Sequence, residues 1–235
     1  MYKVFHYGCS FTENIRIFNI IKSNNFEYTN LGKQSSNNKL ILDTFKETCQ
    51  PNSTAIIQWS SLTRPSDSNY DLLETSDNPL YDLLDEWYEF IEEVILFSRE
   101  NNIKLIHYIG WAIWKDDELN DYHKNKLKSY NITWFKSSRQ YDLTSSNCFQ
   151  FEIPEKWSSK YKRNGLYEWP ELIWGGMGEW IRENVDIKDR YIGHNHEGEI
   201  REGETKPYFN SHPSEYSTNE FVKQVILPKI NEKYK

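Results

Sequence analysis

Short apolar runs that alternate with longer amphipathic stretches constrain this chain more than any other feature. The runs are YKVFHY (2–7), FEYTNL (26–31), STAIIQW (53–59), IKLIHYIG (103–110) and NITWFK (131–136). Segments of that length, rich in Val, Ile, Phe and Tyr, read as strands, and the stretches between them carry the helical period. Regular alternation of this kind is the pattern of a mainly parallel sheet covered by helices, so the expectation is an α/β fold with five strands. The clearest helix runs from Pro79 to Glu100, where Leu80, Leu83, Leu84, Trp87, Ile91, Val94 and Ile95 share one face and Asn78 precedes a first-turn proline. Others are expected over Glu13–Asn24, Asn37–Glu47, the polar and surface-lying Lys115–Tyr130, and Asn219–Ile230, which Pro228 should weaken near its end.

With 235 residues, 37% of them hydrophobic, the chain can bury one sizeable core, and it is read as one domain, 1–235, with insertions. Alternation fails between about 140 and 208, where Trp, Tyr, Gly and charge dominate. That stretch is expected to be an aromatic-rich insertion that caps the sheet. Its one helix-like piece is PELIWGGMGEWIREN, with Leu172, Ile173, Gly176 and Trp180 on one face. The aromatics Trp157, Tyr161, Tyr167, Trp169 and Trp174 can line a pocket beyond the carboxyl edge or form a satellite core under a long loop.

A net charge of −7 and no Lys/Arg block argue against nucleic acid as a partner. No run approaches the ~18 apolar residues that span a bilayer, and MYKVFHYGCSF lacks a basic start before a long apolar core. A soluble chain with no signal peptide and no membrane partner is expected. Three cysteines without a CxxC pair exclude a disulfide framework and fit a reducing compartment or a virion surface.

Chemistry concentrates at Gly8-Cys9-Ser10, directly after the first strand. A serine there projects its hydroxyl beyond the carboxyl edge of the sheet, beside helix N–H groups. It can act as a nucleophile, or Ser10 or Thr12 can cap the next helix, with Glu13 completing the first turn. A nucleophile needs a base, and His212 in NSHPSEY is the best placed of six histidines, in a loop that Pro213 keeps non-helical before the last helix. His6 and His107 sit within strands as core or lining residues, and His123 lies on the polar helix. His194 and His196 with Glu197 and Glu199 match no standard zinc spacing, so no metal or other cofactor is expected.

These segments resemble the SGNH/GDSL hydrolases, most nearly the divergent bacteriophage-encoded members whose first block reads GCSFT. The resemblance covers about 1–140 and 208–235 and implies a flavodoxin-like, three-layer α/β/α fold and a serine esterase or acetylesterase. It places Ser10 as nucleophile, with Cys9 where the family has aspartate. In NLGKQSSNN, Asn30 and Gly32 are followed by Ser35 at the position of an oxyanion-hole glycine, and in QWSSLTR Ser60 stands where the family has a donor asparagine. In NSHPS, His212 is the base and Asn210 replaces the acid. The resemblance thus implies a Ser10–His212 centre with Asn210 beside it and an oxyanion hole from Ser35, Gly32 and Ser60. Candidate substrate contacts are Arg64, Trp59 and, in the aromatic stretch outside the resemblance, Trp169 and Trp174, whose rings can stack on sugar faces; a carbohydrate or other small ester is the expected substrate, in part because the resemblance implies it. The setting implied is a host cytoplasm or a virion. The alternative left open by Cys9, Ser60 and Asn210 is a catalytically weakened scaffold that binds glycan or serves in a phage particle.

Overall fold

The computed structural model describes residues 2–9, 12, 26–34, 36–60, 62, 79–110, 119–133, 162–163, 166–167, 176–186 and 213–232. Four strands, β1 (Tyr2–Tyr7), β2 (Phe26–Asn30), β3 (Thr54–Trp59) and β4 (Lys104–Ile109), form a parallel sheet in the order β2-β1-β3-β4. Register runs from Tyr2–Phe26 to His6–Asn30, from Val4–Thr54 to Tyr7–Ile57, and from Thr54–Lys104 to Trp59–Ile109. β3 is buried along its whole length, whereas β1 and β4 become buried only toward their carboxyl ends. This is the burial expected when helices cover both faces of a parallel sheet.

Among the described residues the sheet has four strands, not the five expected. The described part of NITWFK, 131–133, supplies a parallel bridge from Thr133 to Tyr108, with the Thr133 N–H on the His107 carbonyl at 3.0 Å. Asn131 holds a left-handed φ of 56°, so extended backbone begins only after it, and 134–136 lie outside the described residues. Asn52 and Asn102, at φ 59° and 52°, stand likewise two residues ahead of β3 and β4. Asparagine enters this region more readily than most side chains.

One face of the sheet, built from Phe5, Tyr7, Ala55, Ile57, Trp59 and Ile109, packs on α1 (Asn38–Thr48) and α2 (Pro79–Glu100). Of the apolar stripe expected for α2, Leu83, Leu84, Trp87, Ile91 and Val94 are buried and Ile95 is half-buried, while the Leu80 side chain lies outside what is described. The Lys115–Tyr130 expectation resolves into a shorter α3 (Asp121–Ser129), capped by the Asn120 side chain on the His123 N–H at 3.0 Å. His123 faces inward despite its polar helix, 2% exposed, its ring 4.4 Å from that of Tyr81.

The opposite face, built from Val4, Ile56, Ile106 and Tyr108, is covered partly by the stretch expected to be a cap. There α4 (Gly176–Asn184) buries Met177, Trp180 and Ile181, with Val185 just beyond its end. A helix with that apolar stripe must bury it, and the open face of the sheet is where it does so. Within the same stretch Lys162–Arg163 and Leu166–Tyr167 pair as two short antiparallel strands, β5 and β6. The layer is completed by α5 (Glu215–Phe221), a π turn (Val222–Ile226) and α6 (Leu227–Asn231). The helix expected over Asn219–Ile230 begins earlier, at Glu215, and the weakening expected at Pro228 takes the form of a widened turn before it, with the Leu227 N–H reaching the Val222 carbonyl five residues back. A proline ring collides with the carbonyl one turn earlier, and the wider turn makes room for it. Among the described residues no helix is long and apolar enough to cross a membrane.

Candidate active site

Strand order reverses between β1 and β3, and in sheets of this type ligands bind beyond the carboxyl ends at such a point. Gly8 and Cys9 follow β1 there, Asn30 ends β2, Ser60 follows β3 and Gly110 follows β4. The first three sequence blocks therefore meet along one edge.

Side-chain amides tie those blocks together. Asn30 closes an Asx turn by accepting the Gly32 N–H at 2.9 Å, while its Nδ2 donates to the Thr12 carbonyl at 2.7 Å. The chain after β2 also follows β1 closely, with the Leu31 N–H on the His6 carbonyl at 2.8 Å and the Lys33 N–H on the Gly8 carbonyl at 3.1 Å. Asn38, at the start of α1, grips the third block. It accepts the Ser60 N–H at 2.8 Å and donates to the Ser60 carbonyl at 3.3 Å. Both residues are buried, so truncating the amide strands a donor and an acceptor. Asn38→Ala is expected to lower stability by about 2 kcal/mol in urea unfolding; a loss below about 0.5 kcal/mol would mean that the clamp is dispensable.

Beneath the edge, each strand contributes one polar side chain to the same face. The His6 ring shares hydrogen bonds with the Tyr28 hydroxyl through Nδ1 at 2.9 Å and with the Tyr108 hydroxyl through Nε2 at 3.2 Å. Burial drives its pKa down to about 3, so the ring is neutral, one nitrogen donating and the other accepting. Burial likewise raises the tyrosine hydroxyls above their ordinary range. The fourth member is Gln58 of β3, whose Oε1 accepts from the Thr12 hydroxyl and, at 3.9 Å, from the Cys9 thiol. The Thr12 N–H returns to the Cys9 carbonyl at 2.9 Å, the hydrogen bond of a turn from Cys9 to Thr12; positions 10 and 11 themselves lie outside the described residues.

Of the residues expected at the site, Gly32 and Ser60 stand at this edge, and the N–H of each is already engaged, by Asn30 and Asn38. Trp59 is fully buried, packed edge-on against Trp87 with ring centroids 6.0 Å apart, its indole N–H on His107 Nδ1 at 3.4 Å. It supports the floor of the edge and offers no surface to a substrate. Ser10, Ser35, Arg64, Trp169, Trp174, Asn210 and His212 lie outside the described residues, as do His194 and His196. Ser214 caps α5 through the Ser217 N–H at 3.1 Å, so that helix starts three residues after His212. Sequence reasoning missed Asn38 and Gln58. Gln58 left one visible trace, as the lone amide in TAIIQW, a strand otherwise apolar enough to be buried on both faces.

No protein-family model and no curated protein matches the chain. Among solved structures it is similar to a member of the lipolytic G-D-S-L family from Veillonella parvula, at 10% identity and a TM-score of 0.41, over 97% of this chain and 99% of that one. It is also similar to an acetyl xylan esterase, at 13% identity and a TM-score of 0.35, over 55% of this chain and 71% of that one. A third is a GDSL-like lipase from Bacteroides thetaiotaomicron, at 17% identity and a TM-score of 0.32, over 55% of this chain but only 60% of the lipase. At such identities and scores the likenesses decide nothing about the chemistry of this chain.

Proposed function

We propose that the chain is a serine ester hydrolase that removes an acyl group from a carbohydrate or another small ester through Ser10 and His212. The observation that carries this reading is the turn closed from Thr12 to Cys9 at the carboxyl end of β1, beside the reversal of strand order, because that turn contains Ser10 in its sequence. In this reading the Ser10 hydroxyl attacks the ester carbonyl while His212 takes its proton and then returns it to the departing alkoxide. The Gly32 and Ser60 N–H groups are both engaged, so the oxyanion falls to the N–H groups of Ser10 and Ser35 and to the Ser60 hydroxyl. Arg64, Trp169 and Trp174 remain the candidates for substrate contact.

Asn210 is the position that weighs against a fast enzyme. The same exchange in a Ser-His-Asp triad lowers kcat by about 10⁴. Glu215, in the first turn of α5, is the nearest carboxylate in sequence that can orient His212 in its place. That substitution favours a second reading, a glycan-binding scaffold without turnover. Incubation with a fluorophosphonate probe separates the two. A hydrolase is labelled at Ser10, loses the label in Ser10→Ala, and loses nitrophenyl acetate hydrolysis in both Ser10→Ala and His212→Ala. A folded protein that takes no label yet binds glycan, more weakly in Trp169→Ala and Trp174→Ala, defeats the hydrolase reading.

A further inference from the structure

We propose that Gln58 is a positioning residue that holds the nucleophile turn in its working shape through Thr12 and Cys9, an inference that rests on the hydrolase reading for its catalytic consequence. Gln58 is wholly buried, and its amide is used unevenly. Oε1 receives the Thr12 hydroxyl and the Cys9 thiol, the two residues whose backbones close the turn, whereas Nε2 is buried with no hydrogen-bond partner. A residue chosen for packing alone would be apolar and would leave no stranded donor. What the amide supplies is an acceptor aimed at positions 9 and 12, on either side of Ser10.

The neighbouring strands are shaped around this side chain. A Cβ on Gly8 would lie 2.9 Å from both Cβ and Oε1 of Gln58 and 2.1 Å from the Thr12 Oγ1, and a Cβ on Gly110 would lie 2.6 Å from Gln58 Nε2. Glycine on both flanks lets the amide lie across the carboxyl ends of β1 and β4, where a larger residue would expel it. Local rules broken at one point, with glycines cleared around it, mark a place where geometry matters more than stability.

Gln58→Met keeps the length of the side chain and removes the acceptor; Thr12→Val keeps the shape of the donor residue and removes the hydroxyl. Three measurements test the proposal on the full chain: urea unfolding, kcat and KM for nitrophenyl acetate, and the rate at which iodoacetamide alkylates Cys9 in the native protein, read by peptide mass. The expected result for each variant is a cooperative unfolding transition whose midpoint falls by no more than in Asn38→Ala, kcat at least tenfold lower with KM within about twofold, and Cys9 alkylation at least tenfold faster. The double variant should lose much less than the sum of the two single losses, because the Thr12 link is cut in both. Native kcat and native Cys9 protection in Gln58→Met overturn the proposal. If Gln58→Met does not fold, Thr12→Val decides by the same criteria. A wild-type protein without turnover defeats the hydrolase reading and the catalytic role together; the Cys9 rates still establish or overturn the brace itself.

Discussion

Taking the protein from pH 8 to pH 5 is expected to remove about 4 kcal/mol of stability, most of it through two histidines that are buried neutral. Burial holds His6 at about 3, and it holds His107 at about 4 even though the Tyr130 carbonyl lies 2.8 Å from its Nε2. Both titrate near 6.5 once the chain unfolds. Below that value the unfolded chain binds protons that the native state refuses, so stability rises with pH through this window and falls as pH drops. At pH 5 each histidine lies about 1.5 units below its unfolded value, which amounts to about 2 kcal/mol apiece. His123 is shifted downward as well and acts in the same direction. Glu92 and Glu220, whose carboxyls are held low by the Tyr130 hydroxyl and by Lys223, lose their contribution only below about pH 4.5. Urea midpoints measured at pH 8, 6.5 and 5 check this, and a flat profile across that range would show that the two rings are not buried as neutral groups.

Phe221→Ala is expected to remove about 3–5 kcal/mol, the range for deleting a buried aromatic ring that its surroundings cannot replace. Phe221 has no exposed surface and is the last residue of α5. Its ring lies 5.2 Å from that of Tyr108 and 5.4 Å from that of Trp180, so it joins β4, α4 and the C-terminal helix in one contact. Removing the ring also takes away the wall against which Tyr108 reaches His6, so tertiary signals from the tyrosines should change with the loss of stability. Leu96→Ala, at a site 57% exposed, serves as the control and should stay within about 0.5 kcal/mol of wild type. A Phe221→Ala loss below about 1 kcal/mol would show that this layer is loosely held.

The elements that could be read from the sequence are those whose physics is local. The β1, β3 and β4 runs carry enough β-branched and aromatic residues, and α2 enough apolar positions at helical spacing, that their type follows from periodicity; Pro79 at the start of α2 set its boundary. The order of three candidate blocks at successive strand ends was legible for the same reason, since a serine, asparagine or glycine after a strand must fall at the sheet edge. Strand propensity in NITWFK says nothing about whether a neighbour offers a ladder, and among the described residues its pairing is the bridge at Thr133. Within the 140–208 stretch, Met177, Trp180 and Ile181 pack on the second face of the sheet, a destination that depends on which face of a distant sheet is still open and is not written in their own periodicity.

By itself, then, the sequence determined the class of fold, the parallel alternation and the edge at which the blocks containing Ser10, Gly32 and Ser60 would gather. Only the tertiary structure decided what those blocks do to one another: that Asn30 and Asn38 engage the N–H groups of Gly32 and Ser60, that Trp59 is floor, and that Gln58 accepts from Thr12 and Cys9. The physical reason is that hydrophobic periodicity is written in neighbouring residues, whereas a buried polar group must find its partner wherever the fold brings one, here 46 positions away between Thr12 and Gln58.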